Sequence, residues 1–168
     1  MTRRTSRQAR GVDNISLNAA DLLAYFEHRS RGAEAADLLS ETMVTAWRRI
    51  DAMPEDATEA RMWLFGIARH VLANAERSAQ RRWKLADKLR AHLITEPSPD
   101  GDHRANVEVR DAVSRLSPEQ QELIGLIHWD GFSTAEAAAI VGIPASTARS
   151  RYQAARQQLA LALSPTEA

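Results

Sequence analysis

Hydrophobic positions recur along the chain every three or four residues, the spacing that places side chains on one face of an α-helix. Gly32 separates two such segments, so the pattern predicts a helix over about residues 18–31 and another over about residues 33–53. Four large apolar residues of the second helix are predicted to face the core: Leu39, Met43, Trp47 and Ile50. After a loop at residues 54–58, a long helix is predicted to continue beyond Arg82.

The long helix is predicted to have one apolar side and one polar side. Residues on the apolar side recur at helical spacing: Trp63, Ile67, Val71 and Ala75. On the other side, positions i, i+4, i+7 and i+11 project in the same direction. Two neighbouring lines result, one with Arg69, Ala73, Arg77 and Gln80 and one with His70, Asn74, Arg77 and Arg81. Thr58 is the expected N-cap.

Explicit start and stop signals predict short helices in the last third of the chain. A helix over residues 107–115 precedes two helices that begin with a capping box, in which a serine N-cap and a Gln or Glu three residues later bond each other's backbone. The two boxes are Ser117 with Gln120 and Ser133 with Glu136. Gly142 is predicted to end the second of these helices in the left-handed conformation, and Pro144 opens a last helix to about residue 163.

Two segments have a composition that does not favour folding. Residues 1–15 are basic and polar, which predicts a disordered arm. Residues 95–102 contain two prolines, one glycine and three acids, so an acidic, flexible linker is expected over 92–106. The prediction is therefore an all-α protein with two small helical domains, at residues 16–91 and 107–163, followed by a tail at 164–168.

The net charge is zero, but the charges are unevenly distributed. Residues 61–90 have a balance of +6, residues 92–136 a balance of −6, and residues 145–163 a balance of +3. Two basic segments separated by an acidic one predict two contacts with nucleic acid. The alternative is that these charges are solvated helix faces.

Two short helices joined by a tight turn at Gly142 are typical of a helix-turn-helix. The last helix is predicted to bury Ala148, Tyr152, Ala155 and Leu159. The opposite face has hydroxyl, amide and guanidinium groups and no acid: Ser146, Arg149, Ser150, Gln153 and Arg156. Such groups donate hydrogen bonds to phosphates and base edges, and Thr147 lies in the first turn, where the helix dipole favours a phosphate. The alternative is a plain helical hairpin with solvated arginines.

Other classes of protein lack support in the sequence. There is no cysteine, and the five histidines have no metal-ligand spacing, so neither a disulfide nor a metal site is expected. No glycine-rich phosphate loop or nucleophile elbow indicates an enzyme, and no cofactor is expected. The polar N-terminus and the lack of a long apolar run predict a soluble cytoplasmic protein without membrane insertion.

Five stretches, in order over about residues 17–163, resemble the extracytoplasmic-function sigma factors of bacterial RNA polymerase. Three of the stretches resemble the family's region that reads the −35 element: LSPEQQEL at 116–123, WDGFSTAEAA at 129–138 and GIPASTARSR at 142–151. A fourth stretch resembles the family's polymerase-docking helix: DLLSETMVTAWR at 37–48. The fifth stretch resembles the family's helix that reads and melts the −10 element: WLFGIARH at 63–70, with Arg77, Arg81 and Arg82.

The resemblance implies a promoter-specificity subunit, not an enzyme, that binds core RNA polymerase and promoter DNA. It implies docking through one acidic helix face, made by Glu34, Asp37 and Glu41. It implies −10 contacts by Arg69, His70, Asn74, Arg77, Arg81 and Arg82, and capture of a flipped base near residues 54–58. The −35 contacts are expected at Ser146, Thr147, Arg149, Ser150, Arg151, Gln153 and Arg156. An anti-sigma factor as a further partner stays an open alternative.

Several positions differ from the family pattern. Ser40 stands in the docking helix where Gln is usual, and Ala36 where an acid is usual. In the −10 helix His70 replaces Asn and Asn74 replaces Asp, and Pro144 replaces a capping Ser. Two other functions remain as alternatives: a stand-alone helix-turn-helix regulator, and a sigma-like regulatory protein that binds polymerase without initiating.

Overall fold

The computed structural model describes the chain at residues 2–30, 34–90 and 104–164, with side chains placed at 7–30, 34–82 and 109–164. Regular secondary structure in these ranges is helical throughout, which confirms the predicted all-α class. The chain divides into an N-terminal unit, residues 1–95, and a C-terminal unit, residues 96–168. The helices are α1 (Thr2–Leu17), α2 (Ala19–Arg29), α3 (Glu34–Arg48), a 3-10 helix (Ile50–Ala52), α4 (Ala57–Arg90), α5 (Arg104–Ser114), α6 (Pro118–His128), α7 (Thr134–Val141) and α8 (Ala145–Leu163).

Aromatic side chains form the centre of the N-terminal unit, where α2, α3 and α4 pack together. The Tyr25 ring meets the Phe26 and Phe65 rings edge to face, with centroids 5.3 and 5.5 Å apart. All three are inaccessible to solvent, as are Leu22 and Leu64. Such aromatic pairs stabilise a core beyond the burial of their area. This core fixes α3 and α4, the two helices with the predicted docking and −10 residues.

The buried face of α3 differs from the prediction. Its core residues are Ala35, Leu38, Thr42 and Ala46, one position earlier at each turn than the predicted Leu39, Met43 and Trp47. One residue corresponds to about 100° around a helix, so the large apolar side chains lie on the flank. Small residues such as Ala35, Thr42 and Ala46 face the core because α2 and α4 lie against α3. The buried Thr42 hydroxyl is satisfied within α3, since it donates a hydrogen bond to the Leu38 carbonyl at 2.8 Å. Leu39 and Met43 are half-buried, Trp47 is exposed, and the predicted burial of Ile50 is confirmed.

The first residues form a helix, and the prediction of a disordered arm over 1–15 is wrong. Helix α1 packs against α3, α4 and the 3-10 helix. Over residues 7–17, where its side chains are described, α1 buries a narrow stripe in which Gly11 and Ile15 are shielded and Asn14 is half-buried. The polar composition concealed this stripe, because glycine contributes no apolar side chain to a sequence pattern even where it permits close packing.

The starts of two helices, α4 and α5, also differ from the prediction. The N-cap of α4 is Asp56 and not Thr58, since the Asp56 carboxylate accepts a hydrogen bond from the Glu59 backbone N–H at 2.9 Å. Helix α5 begins at Arg104, inside the segment predicted as a linker over 92–106. The remaining linker residues before 104 and the tail after Ser164 lie outside the described residues.

The C-terminal unit packs α8 against α5, α6 and α7. Its core includes Val113, Leu116, Ile124 and Ala155, with Tyr152 and Leu159 packed against them. Together with the buried Ala148, this confirms the predicted inner face of α8.

Both predicted capping boxes are present in the C-terminal unit. The Gln120 backbone N–H donates to the Ser117 hydroxyl at 3.3 Å, and the Ser117 N–H donates to the Gln120 amide oxygen at 3.0 Å. In the second box the Ser133 N–H donates to the Glu136 carboxylate at 2.7 Å, and the Glu136 N–H donates to the Ser133 hydroxyl at 3.2 Å. Because each box fixes the first residue of its helix, the boxes set where α6 and α7 begin.

Gly142 ends α7 in the left-handed conformation, with φ of 79°. A substitution to alanine there meets no neighbouring atom, so its effect comes from the backbone alone. Gly142→Ala is expected to destabilise the C-terminal unit by about 1–2 kcal/mol. Gly66, inside α4, also has open space around it but lies in ordinary helical backbone, and Gly66→Ala is expected to stabilise the N-terminal unit by about 0.5–1 kcal/mol.

Hydrogen exchange read by mass spectrometry resolves the two units in the full chain and checks both changes. Both variants replace a glycine by alanine, but Gly142→Ala is predicted to lower the stability of its unit and Gly66→Ala to raise it. A Gly142→Ala protein with unchanged protection in α7 and α8 would contradict the account of the turn.

Candidate nucleic-acid interface

The outer face of α8 has the predicted polar residues, and the structure exposes them together. Ser146, Arg149, Ser150, Arg151, Gln153 and Arg156 are exposed, while Thr147 is half-buried in the first turn. The Ser150 hydroxyl donates to the Thr147 carbonyl at 3.0 Å, so its oxygen retains lone pairs to accept a further bond. The described α8 has no acidic side chain, so this face attracts polyanions.

Tyr152, on the inner face of α8, contacts α6. Its hydroxyl lies 3.0 Å from His128 Nε2, and the two rings are tilted by 32° with centroids 5.7 Å apart. The Arg156 guanidinium lies 5.9 Å from the centroid of the Tyr152 ring. These contacts restrict the orientation of α8 relative to the supporting helices.

The start of α8 has no side-chain cap. Pro144 occupies the N-cap position in an extended conformation, with no capping hydrogen bond from its side chain. Helix starts leave backbone N–H groups without partners inside the helix, and the helix dipole makes them a favourable place for an anion. The replacement of a capping Ser by Pro144 thus leaves the first turn of α8 suited to a phosphate.

Arg151 of α8 interacts electrostatically with an acid of α6, Glu119. The pKa of Glu119 is lowered from its ordinary value, chiefly because its carboxylate accepts a hydrogen bond from its own backbone N–H. The Ser117 side chain and the positive charge of Arg151 lower it further. The charge of Arg151 therefore acts on a carboxylate of α6, whereas Arg149 lies on the opposite flank of α8 by helical spacing.

The polar lines of α4 are exposed as predicted. His70, Asn74, Arg77, Arg81 and Arg82 are open to solvent, and Arg69 is half-buried. Arg77 donates to the Asn74 amide oxygen at 2.5 Å, and Arg81 donates to the Ser78 hydroxyl at 2.9 Å. Because arginine has no acceptor, the contact must engage the Asn74 oxygen, which leaves the Asn74 NH2 group available to donate.

One exposed stripe of α3 contains the predicted acids Glu34, Asp37 and Glu41. The same stripe continues into Val44, which is 48% exposed, with Trp47 beside it at 56%. Sequence periodicity assigned Trp47 to the core, so this apolar extension was missed. Ser40 turns its hydroxyl back to the Ala36 carbonyl at 2.9 Å, and the two positions that depart from the family pattern therefore bond each other.

An apolar groove of about 320 Å³ lies between α1 and α3, beside the acidic stripe. It is lined by Val12, Ile15, Ser16, Met43, Val44, Trp47 and Arg48. Exposed apolar surface next to charged residues is typical of protein interaction sites.

The described residues give no support to a metal site or a membrane span. Within the described ranges, no three His, Asp or Glu side chains are grouped so that they could hold a metal ion. None of the described helices is both long enough and apolar enough to span a bilayer.

Family models match both halves of the chain. The model of sigma-70 region 2 matches residues 17–82, which include α2, α3 and the exposed lines of α4. The model of sigma-70 region 4 matches residues 106–159, which include the helix-turn-helix and the outer face of α8.

Named relatives agree with both models. The chain is 32% identical over 133 residues to the ECF RNA polymerase sigma factor SigL of Mycobacterium tuberculosis, covering 78% of this chain and 75% of that protein. It is 35% identical over 153 residues to the ECF RNA polymerase sigma factor SigC of the same species, covering 86% and 78%. Among solved structures, the sigma factor RpoE from Bartonella quintana, in complex with the anti-sigma factor NepR, matches with a TM-score of 0.68. The match has 26% identity and covers 92% of this chain and 94% of that chain.

Proposed function

Because the chain belongs to the extracytoplasmic-function sigma factors of bacterial RNA polymerase, its function is promoter-specific initiation of transcription, and we propose how its residues divide that work. Sigma factors bind core polymerase and promoter DNA and are not in general enzymes. The finer proposal is that this chain has no catalytic activity of its own and works in the cytoplasm. The observation that carries the proposal is the occurrence of both sigma-70 regions in one chain.

In this proposal α8 reads the −35 element in the major groove. Arg149 lies on the exposed, acid-free face with Ser146 and Gln153, where it can pair with a guanine edge. Arg151, which lies toward the side of that face, contacts a backbone phosphate instead. The uncapped first turn of α8 at Thr147 holds another phosphate.

Helix α4 is proposed to contact the −10 element and help open it. Arg69, Arg77, Arg81 and Arg82 contact backbone phosphates, and His70 and Asn74 face exposed bases. The Arg77 bond to the Asn74 oxygen favours a base acceptor opposite the Asn74 NH2 group. The loop between the 3-10 helix and α4, residues 53–56, is proposed to receive a base extruded from the opened strand.

The docking surface for core polymerase is proposed to combine charge and apolar area. Glu34, Asp37 and Glu41 complement a basic helical surface of the polymerase, and Val44 and Trp47 add a desolvated contact at one end of the same stripe. Large exposed aromatic residues often contribute strongly to protein binding. This combination also explains why α3 places a tryptophan at its surface.

An anti-sigma factor is a further proposed partner. The structure of RpoE from Bartonella quintana contains that sigma factor bound to the anti-sigma factor NepR, and it covers 92% of this chain. The exposed apolar residues of the N-terminal unit give such a partner a surface that competes with polymerase docking.

Reconstituted transcription tests the proposed function. The purified protein, added to core polymerase and a genomic fragment library, is expected to direct initiation from a defined set of promoters. Core polymerase alone is the control. A protein that co-migrates with core but initiates on no fragment would support a regulatory sigma-like role, and one that binds DNA without core would support a stand-alone regulator.

A further inference from the structure

Helix α1 approaches the 3-10 helix so closely that only glycine fits at the contact. A Cβ atom at position 11 would lie 2.4 Å from Ile50 Cγ1 and 2.6 Å from Ile50 Cδ1, well inside the separation that carbon atoms tolerate. Ile50 is itself buried, and so is Met53 directly after the 3-10 helix. The absence of a side chain at Gly11 is therefore what lets α1 reach this segment.

Charged side chains extend the packing of α1 from the 3-10 helix to the loop that follows it. Arg7 and Arg10 of α1 lie 3.9 and 3.6 Å from the Glu55 carboxylate, which belongs to the 53–56 loop. The cleft between α1 and the loop has a volume of only about 10 Å³, close to the lower limit for one water molecule. The 3-10 helix and the loop thus pack along α1 from Ile50 to Glu55.

The other end of the loop is fixed by α4. Asp56 caps that helix through the Glu59 N–H, and its carbonyl accepts a bond from the Ala60 N–H at 2.8 Å. The loop is therefore held at both ends, by α1 before Pro54 and by the α4 cap after Glu55.

We propose that α1 positions the 53–56 loop, with Gly11 as the positioning residue, so that the loop is preformed when a base is extruded from the −10 strand. The inference rests on the proposed role of this loop in promoter opening. Extruding a base costs a few kcal/mol of unstacking, and a receiving loop that must also be ordered would add to that cost. A preformed loop removes the ordering cost, so α1 contributes to melting without contacting DNA.

Substitution of Gly11 by leucine tests the proposal, with Ala9→Leu as the matched control because Ala9 lies on the exposed side of α1. Both proteins are assembled with core polymerase on a cognate promoter. Promoter opening is measured by permanganate reactivity of −10 thymines, and base preference by a randomised −10 library. Gly11→Leu is expected to reduce opening and base preference about tenfold, whereas Ala9→Leu leaves both unchanged. Core affinity and −35 preference should stay at wild-type values in both.

Hydrogen exchange of residues 50–56 distinguishes positioning from general stability. Gly11→Leu is expected to raise exchange in this segment while α2 and the centre of α4 keep their protection. If Gly11→Leu fails to fold, Gly11→Ala combined with Ile50→Ala replaces it. The shorter side chain that Ile50→Ala introduces makes room for the new Cβ at position 11, so the double variant should regain the opening that Gly11→Ala alone loses.

The outcomes separate this proposal from the one it rests on. A wild-type protein that opens no promoter overturns the proposed function and the positioning role together. A wild-type protein that opens promoters selectively, with a Gly11→Leu variant that does so equally well despite faster exchange at 50–56, overturns the positioning role alone. A double variant in which Ile50→Ala fails to restore opening also counts against it.

Discussion

Replacement of Asp37 and Glu41 by arginine together is expected to weaken binding to core polymerase by about a hundredfold or more. Both carboxylates lie on the exposed stripe of α3, and the substitutions put positive charge against the basic surface that the acids are proposed to meet. Juxtaposed like charges at an interface cost several kcal/mol, and each 1.4 kcal/mol is about tenfold in affinity. Stability should change by no more than about 0.5 kcal/mol, because both sites are on the surface.

Competition binding against a labelled sigma factor measures this effect. Glu27→Arg with Asp51→Arg is the matched control, since both acids are exposed on the same unit but lie outside the α3 stripe. The control changes the net charge by the same amount and should keep polymerase affinity. Equal affinities for the two double variants, with unchanged melting curves, would show that α3 does not dock.

The second large effect is expected at the −35 element. Arg149→Ala should reduce affinity for the cognate sequence by about 1–3 kcal/mol, roughly fivefold to 150-fold, and flatten discrimination at one or two base pairs. The reason is that Arg149 projects from the acid-free face, where a guanidinium can donate two bonds to one guanine. A randomised-promoter transcription assay reads the preference at every position.

Arg151→Ala is the matched control on the same helix. It removes the same side chain from a position at the side of the exposed face, where a phosphate contact is proposed. Binding should weaken on all sequences alike, and the salt dependence should fall by about one phosphate contact. Neither variant should alter the −10 preference. If Arg149→Ala keeps its −35 selectivity, or shifts only the −10 element, α8 is not the reading helix.

Sequence alone predicted the C-terminal unit closely because its signals are local. The Ser117 and Ser133 boxes and the Gly142 turn each involve only a few adjacent residues, so no knowledge of distant packing was needed. The outer face of α8 followed from the inner face, since a helix that buries Ala148 and Ala155 must expose the opposite side.

The N-terminal unit was harder to predict because its packing joins distant residues. The close contact between Gly11 and Ile50 crosses 39 positions, and no local pattern marks it. A hydrophobic pattern is set mainly by large apolar residues. The pattern of α3 therefore followed Leu39 and Met43 and not the small residues that this helix turns to the core. The electrostatic effect of Arg151 on Glu119 was missed for the same reason, since the two residues belong to different helices.

The two capping boxes favour rapid folding of the C-terminal unit in a newly made molecule. Each box closes a ring of four residues, so the chain loses little loop-closure entropy when the helix starts to form. Helical domains with local contacts fold in microseconds to milliseconds. Synthesis of 168 residues, at about 5–20 residues per second, takes roughly ten to thirty seconds. Translation, and not folding, should therefore set the delay before the C-terminal unit can bind DNA.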